Sequence, residues 1–196
     1  MSAENIIKVL TIPHSDLEFQ INREQCTTSV YIAETEKRKT SCVFLQEGLR
    51  LKEKIIPLFN LDLFFQNIFQ AQTSGEAHLA LIRDRKTMSA EILELLGMHE
   101  DAFYLEGEER PDMIAFRVAS ATIMTDVMLS ELCLHPSVLA AHMEKQGVLA
   151  VSFAEGDAGG EGDAGGRMRY MIDLDILLEK KILNALEDNN ENSDCR

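Results

Sequence analysis

No run of eighteen apolar residues occurs anywhere in the 196 residues, so the sequence predicts no transmembrane helix. The opening MSAENIIKVLTIPHSDLEF lacks a basic segment followed by a long apolar stretch, and no signal peptide is expected. Cysteines are few: Cys26, Cys42, Cys133 and Cys195 lie far apart with no CxxC pair. Without an export signal, reduced thiols and a cytoplasmic location are the simplest expectation. Cations are also scarce, 19 Lys and Arg against 33 acidic residues, for a net charge of -14. That balance argues against nucleic acid and against anionic membrane, both of which need a basic patch. Part of the excess sits in the tail LEDNNENSDCR (186–196), read as a flexible acidic tail over 187–196.

Catalytic signatures are missing too. There is no G-x-S-x-G, no cysteine in a recognisable active-site context, and His99-Glu100 lacks the second histidine of H-E-x-x-H. His135 and His142 are seven apart, wider than the His-x3-His spacing that zinc prefers. The carboxylates Asp62 and Asp175 fit the first turns of helices. No catalytic residue, metal ligand or cofactor is expected.

One stretch does imitate a cofactor motif. EGDAGGEGDAGG (155–166) repeats a hexapeptide, and GEGDAG (160–165) has G-x-G-x-x-G spacing. A dinucleotide turn must lead from a strand into a helix whose N-terminus holds the pyrophosphate. Here the following RMRYMI reads as a strand, and Glu155, Asp157, Glu161 and Asp163 would repel phosphate. Four carboxylates could collect calcium, but two hexapeptides build no rigid cage. An acidic glycine-rich loop over 154–166 is the expectation.

What is present is short and β-like. IIKVLTI (6–12), LEFQI (17–21), TSVYIA (28–33), SCVFLQ (41–46), KIIPLF (54–59), HLALIR (78–83), MIAFRV (113–118), GVLAVSF (147–153) and RMRYMI (167–172) predict nine strands. Helices are expected over 61–69, where Leu61, Phe64, Phe65 and Ile68 form one stripe behind Asn60 as cap. Others are expected over 87–97 (ending at Gly97), 135–147 and 173–186. Few helices among many strands imply closed or sandwiched antiparallel sheets.

An internal echo is the most informative feature. LFNLDLFF (58–65) aligns without a gap to MIDLDILL (171–178): a strand, an Asn or Asp cap, a Leu-Asp pair, then an apolar helical stripe. Two similar halves would produce it; so would chance, because a strand followed by a capped helix is common.

At LRLKEKIIPLFNLDLFF (49–65) the sequence resembles the CheW-like adaptor domain of bacterial chemosensory arrays, in which a basic residue and a glycine precede an Ile-Pro strand and an Asp-Leu helix start. YMIDLDILL (170–178) is similar to the family's last strand and helix. IAFRVASATIMTDVMLSEL (114–132) is similar to its strand and valine-rich stretch, and GVLAVSF to its penultimate strand. Lys52 stands where arginine is usual, Glu53 for the glycine, Asn60 for aspartate, and Ala119-Ser120 for Val-Asp.

The resemblance implies a mainly β fold of two intertwined five-stranded β-barrel subdomains with a few short helices. It would be one domain over 5–183, with a helical insertion at about 85–112. It further implies a non-enzymatic adaptor whose partners are the regulatory domain of a histidine kinase and the cytoplasmic tip of a chemoreceptor. The residues placed in the contact region are Lys52, Ile56, Leu58 and Asn60. Each also fits a structural reading, Ile56 and Leu58 as barrel core and Lys52 as an ion-pair partner. An alternative is a barrel protein that uses the insertion, through Met88, Ile92, Leu95 and Leu96, to bind another partner.

Overall fold

A computed structural model describes residues 6–14, 17–40, 44–69, 79–118, 122–133, 143, 147–153 and 168–179. The glycine-rich loop, the acidic tail, His135, His142, Cys42 and Cys195 lie outside the described residues, as does most of the 135–147 helix.

Among the described residues, eleven strands form two sheets. The first has five: β10 (Val148–Phe153), β11 (Met168–Ile172), β2 (Leu17–Asn22), β1 (Ile6–His14) and β9 (Ile123–Met128), in that spatial order. The second has six: β3 (Thr28–Tyr31), β7 (Leu79–Asp84), β8 (Met113–Val118), β6 (Lys54–Asn60), β5 (Glu47–Leu51) and β4 (Thr35–Lys37).

Both sheets curl, for reasons the chain itself supplies. Only Ile32–Glu34 separate β3 from β4, which form opposite ends of the second sheet. Four residue steps reach at most about 14 Å, whereas the outer strands of a flat six-stranded sheet lie about 24 Å apart. In the first sheet Cys133, just beyond β9, pairs with Val151 of β10 through Cys133 N to Val151 O (2.8 Å) and the reverse (3.0 Å). Those two bonds join the sheet's ends.

The echo is structural, and it explains how the halves interlock. β6 has an antiparallel partner β5 on one side and a parallel partner β8 on the other; β11 has β10 and β2 in the same senses. Extending the match, β7 corresponds to β1, β3 to β9, and β4 to the lone bridge at Cys133. The first half (6–69) gives its hairpin β1–β2 to the first barrel and β3–β6 to the second. The second half (79–179) gives β7–β8 to the second barrel and β9–β11 to the first. Neither barrel is built from one half.

Strand alternation sends side chains into three cores. Along β6, Ile56 and Leu58 enter the second barrel with Leu49, Ala80, Ile82 and Ala115. Ile55 and Phe59 point the other way, into a central core shared with Ile12, Phe19 and Ile21 of the first sheet. Val9, Val127, Ala150 and Met171 fill the first barrel. That barrel is partly polar, since Thr11 Oγ1 bonds Thr125 Oγ1 at 2.8 Å and receives Gln20 Nε2 at 3.4 Å.

Helices plug the central core. α1 (Leu61–Phe69) spans the expected residues, with Leu63 N donating to Asn60 Oδ1 (3.2 Å) and Phe65 stacked on Phe19 at 3.9 Å. α2 (Ala90–Glu100) starts three residues later than expected, because Ser89 Oγ accepts from Ile92 N (3.3 Å). It runs through Gly97, the expected stop, to Glu100. α3 (Leu174–Leu177) follows β11, with Asp173 Oδ1 accepting from Asp175 N (2.8 Å) and Ile176 N (3.1 Å).

The sequence placed a strand over 41–46, but residues 44–46 are not strand and pairing begins at Glu47. Three strands went unforeseen: β4, β5 and β9.

Candidate functional site

The β5–β6 hairpin carries Lys52. Leu51 pairs with Lys54, leaving Lys52 and Glu53 as a two-residue turn. Lys52 has φ +57°, the one positive φ at a non-glycine among the described residues. The first turn position at positive φ and the second not is the pattern of a type II′ turn, which favours glycine first. Lysine there holds a positive-φ backbone that glycine adopts freely and that strains an L side chain. Its side chain is exposed, and no hydrogen-bond or ion-pair partner of it is found among the described residues.

The other three expected contact residues do not join it. Ile56 and Leu58 are 0% and 2% exposed, inside the second barrel, so their side chains reach no surface. Asn60 is partly exposed but sits at the far end of β6, its side chain spent on the α1 cap. Six residue steps along β6 separate Lys54 from Asn60, about 20 Å. The four residues therefore mark a turn and the strand that follows it, not one patch.

Beside the turn, the 85–112 segment wraps the second barrel. Arg38, whose side chain is 3% exposed, donates to both Glu108 oxygens (2.9 and 2.8 Å) and to Phe103 O (3.3 Å). Its guanidinium lies 5.4 Å from the centre of the Phe103 ring. These hydrogen bonds hold the Glu108 carboxyl below its ordinary range. Across a 330 Å³ cleft lined by Glu53, Lys54, Ile55 and Gly107–Glu109, Lys54 pairs with Glu109 at 3.6 Å. Met88, Ile92 and Leu96 of the segment are buried in the central core, and Leu95 packs partly buried against it. The 85–112 segment turns those residues into the core instead of presenting them.

Sequence reasoning missed a second surface. On the outer face of β1–β9, register places Ile6 opposite Met128, Lys8 opposite Asp126, and Leu10 opposite Met124. Ile6, Met124, Met128 and the following Leu129 are 49%, 61%, 39% and 44% exposed. Leu10 is half-buried and leads this stripe into the central core. Only the methionines of IMTDVM hinted at it, since Met is favoured on adaptable binding surfaces.

Among the described residues, no group of three or more His, Cys, Asp or Glu could hold a metal, and no helix is long and apolar enough to cross a membrane. What the surface offers is a strained basic turn, a shallow acidic cleft and an apolar stripe, features suited to protein contacts.

No protein-family model matches the sequence, and no curated protein matches it. Among solved structures, the chain is similar to the scaffolding protein TtCheW from Thermoanaerobacter tengcongensis, with a TM-score of 0.54, 13% identity and 90% of each chain covered. Two interlocked curled sheets with few helices, matched over that share of both chains, identify a CheW-like fold.

Proposed function

We propose that this chain is a non-enzymatic, cytoplasmic chemosensory adaptor that couples chemoreceptors to a histidine kinase. The observation that carries this reading is the interlocked pair of barrels, shared along 90% of both chains with a protein described as a scaffold. The motifs LRLKEKIIPLFNLDLFF and YMIDLDILL, which resemble the adaptor family, fall on the two equivalent strand-to-helix units. Its partners would be the kinase's regulatory domain and the receptor's cytoplasmic tip, with Lys52 contributing at the hairpin turn. Burial of Met88, Ile92 and Leu96 weighs against the rival use of the insertion as a docking helix.

The test is calorimetric titration into the regulatory domain of a histidine kinase from the same genome. Saturable binding that weakens at least tenfold in Lys52→Glu supports both the role and the turn. Binding indifferent to that change keeps the adaptor and rejects Lys52. No binding to any such kinase refutes the reading.

A further inference from the structure

The β1–β9 stripe is not a requirement of the fold, because the molecule contains its own control. The strand equivalent to β9 in the second barrel is β3, Thr28–Tyr31, which also lies at a sheet end. Val30 of β3 turns to the barrel core, and the outward positions are Ser29 and Tyr31. The same position carries Ser29 and the 82% exposed Tyr31 in one barrel and Met124, Met128 and Leu129 in the other, so the residues of the stripe are not fixed by the architecture. Exposed apolar residues gathered on one sheet face in this way mark an interaction surface.

Its pattern is self-complementary. Along the paired strands the outer face reads Ile6/Met128, Lys8/Asp126, Leu10/Met124: apolar, oppositely charged, apolar. Turning a second copy over about an axis parallel to the strands lays β1 of one copy on β9 of the other. Ile6 then meets Met128 of the other copy, Leu10 meets Met124, and Lys8 meets Asp126, each contact occurring twice. The alternative stacking, about an axis across the strands, would set Lys8 on Lys8 and Asp126 on Asp126. In a chain of net charge -14, a locally neutral stripe is also where two copies can approach.

We infer that the outer face of β1–β9 is a contact between two copies of this chain, isologous in form, with Lys8 of each copy set against Asp126 of the other. The inference stands apart from the adaptor reading. The stripe is far narrower than the roughly 20–30 residues per partner of a standard interface, so the association is weak and concentration-dependent.

The experiment is sedimentation of the full chain from about 10 µM to about 1 mM, the range that a small interface populates. The expected result is an average mass rising from 22.0 kDa toward twice that value. Lys8→Glu and Asp126→Lys should each remain monomeric, while an equimolar mixture of the two should regain the dimer. Circular dichroism verifies that each variant is folded, and Met124→Glu, monomeric on the same argument, serves if neither is. Wild-type chain that stays at 22.0 kDa overturns the inference. So does a dimer unmoved by either reversal, or a mixture that fails to associate. If the wild type is monomeric but Met124→Glu abolishes binding to a receptor fragment, the stripe belongs to that partner.

Discussion

Arg83 of β7 reaches Asp175 of α3, with Nη2 2.6 Å from Oδ1, and so ties together residues from the two ends of the chain's second half. The guanidinium, its side chain 3% exposed, also donates to Gln25 O (3.4 Å) and Thr87 O (3.5 Å). Gln25 Oε1 in turn accepts from Leu174 N (3.3 Å), at the start of α3. One buried cation thereby organises the corner where η1 (Arg23–Gln25), β7 and α3 meet.

Removing its counter-ion should be costly. Asp175→Ala strands a buried charge, and about 2–3 kcal/mol of stability should be lost, at the low end of the buried-pair range because Asp175 is one-third exposed. Arg83→Met, which removes the charge and keeps the volume, should cost less. Urea denaturation of the two variants orders them; the reverse order would mean that Asp175, not Arg83, is the poorly solvated partner.

A second carboxylate gives a pH signature. Glu100 is fully buried, and burial raises its pKa despite the Arg85 guanidinium bonded to it. A raised folded-state value means that folding favours the protonated form. That contribution is complete below the unfolded value near 4.5 and is lost as pH climbs through the folded value. Glu100→Gln should flatten the fall of stability over that window, read by urea unfolding at a series of pH values. An unchanged slope would remove Glu100 as its source.

The docking of the 85–112 segment rests on a missing side chain. A Cβ on Gly48 would lie 2.3 Å from Ile55 Cγ2 and 3.2 Å from the Phe103 ring. Gly48→Ala should cost about 1–3 kcal/mol. It should also loosen the segment that Phe103 and Arg38 anchor, seen as faster proteolysis within 101–112 with the barrels still folded. Proteolysis at the wild-type rate would show that Ile55 alone absorbs the clash.

Thiol reactivity separates two cysteines. Cys26 is 2% exposed, and burial pushes its pKa up to about 11, whereas Cys133 is exposed. At pH 8, alkylation followed by peptide mapping should label Cys133 in the native state and Cys26 only after denaturation. Native labelling of Cys26 would reveal opening at η1.

How much of this was readable beforehand depended on where each residue's reason lay. α1 was found to the residue because its stripe and its Asn60 cap are local. β4 was invisible, since of Thr35, Glu36 and Lys37 only the threonine favours a strand, and the three pair because β5 offers an edge. β9 hid for a related reason: only Val127 of its six residues is buried, so the expected alternation is absent. At the candidate site, Lys52 was singled out by the family resemblance alone. The stripe was not, because Ile6 and Met128 become neighbours only through a pairing across more than a hundred residues.

The exchange of strands between the halves has a consequence for the molecule's integrity. A protease cut between Phe69 and Leu79 would sever the backbone but leave each fragment holding two strands of one barrel and three or more of the other. The pieces could part only if both barrels opened together. The covalent link between the halves is thus mechanically redundant, and a nicked molecule should travel as one particle until it is denatured.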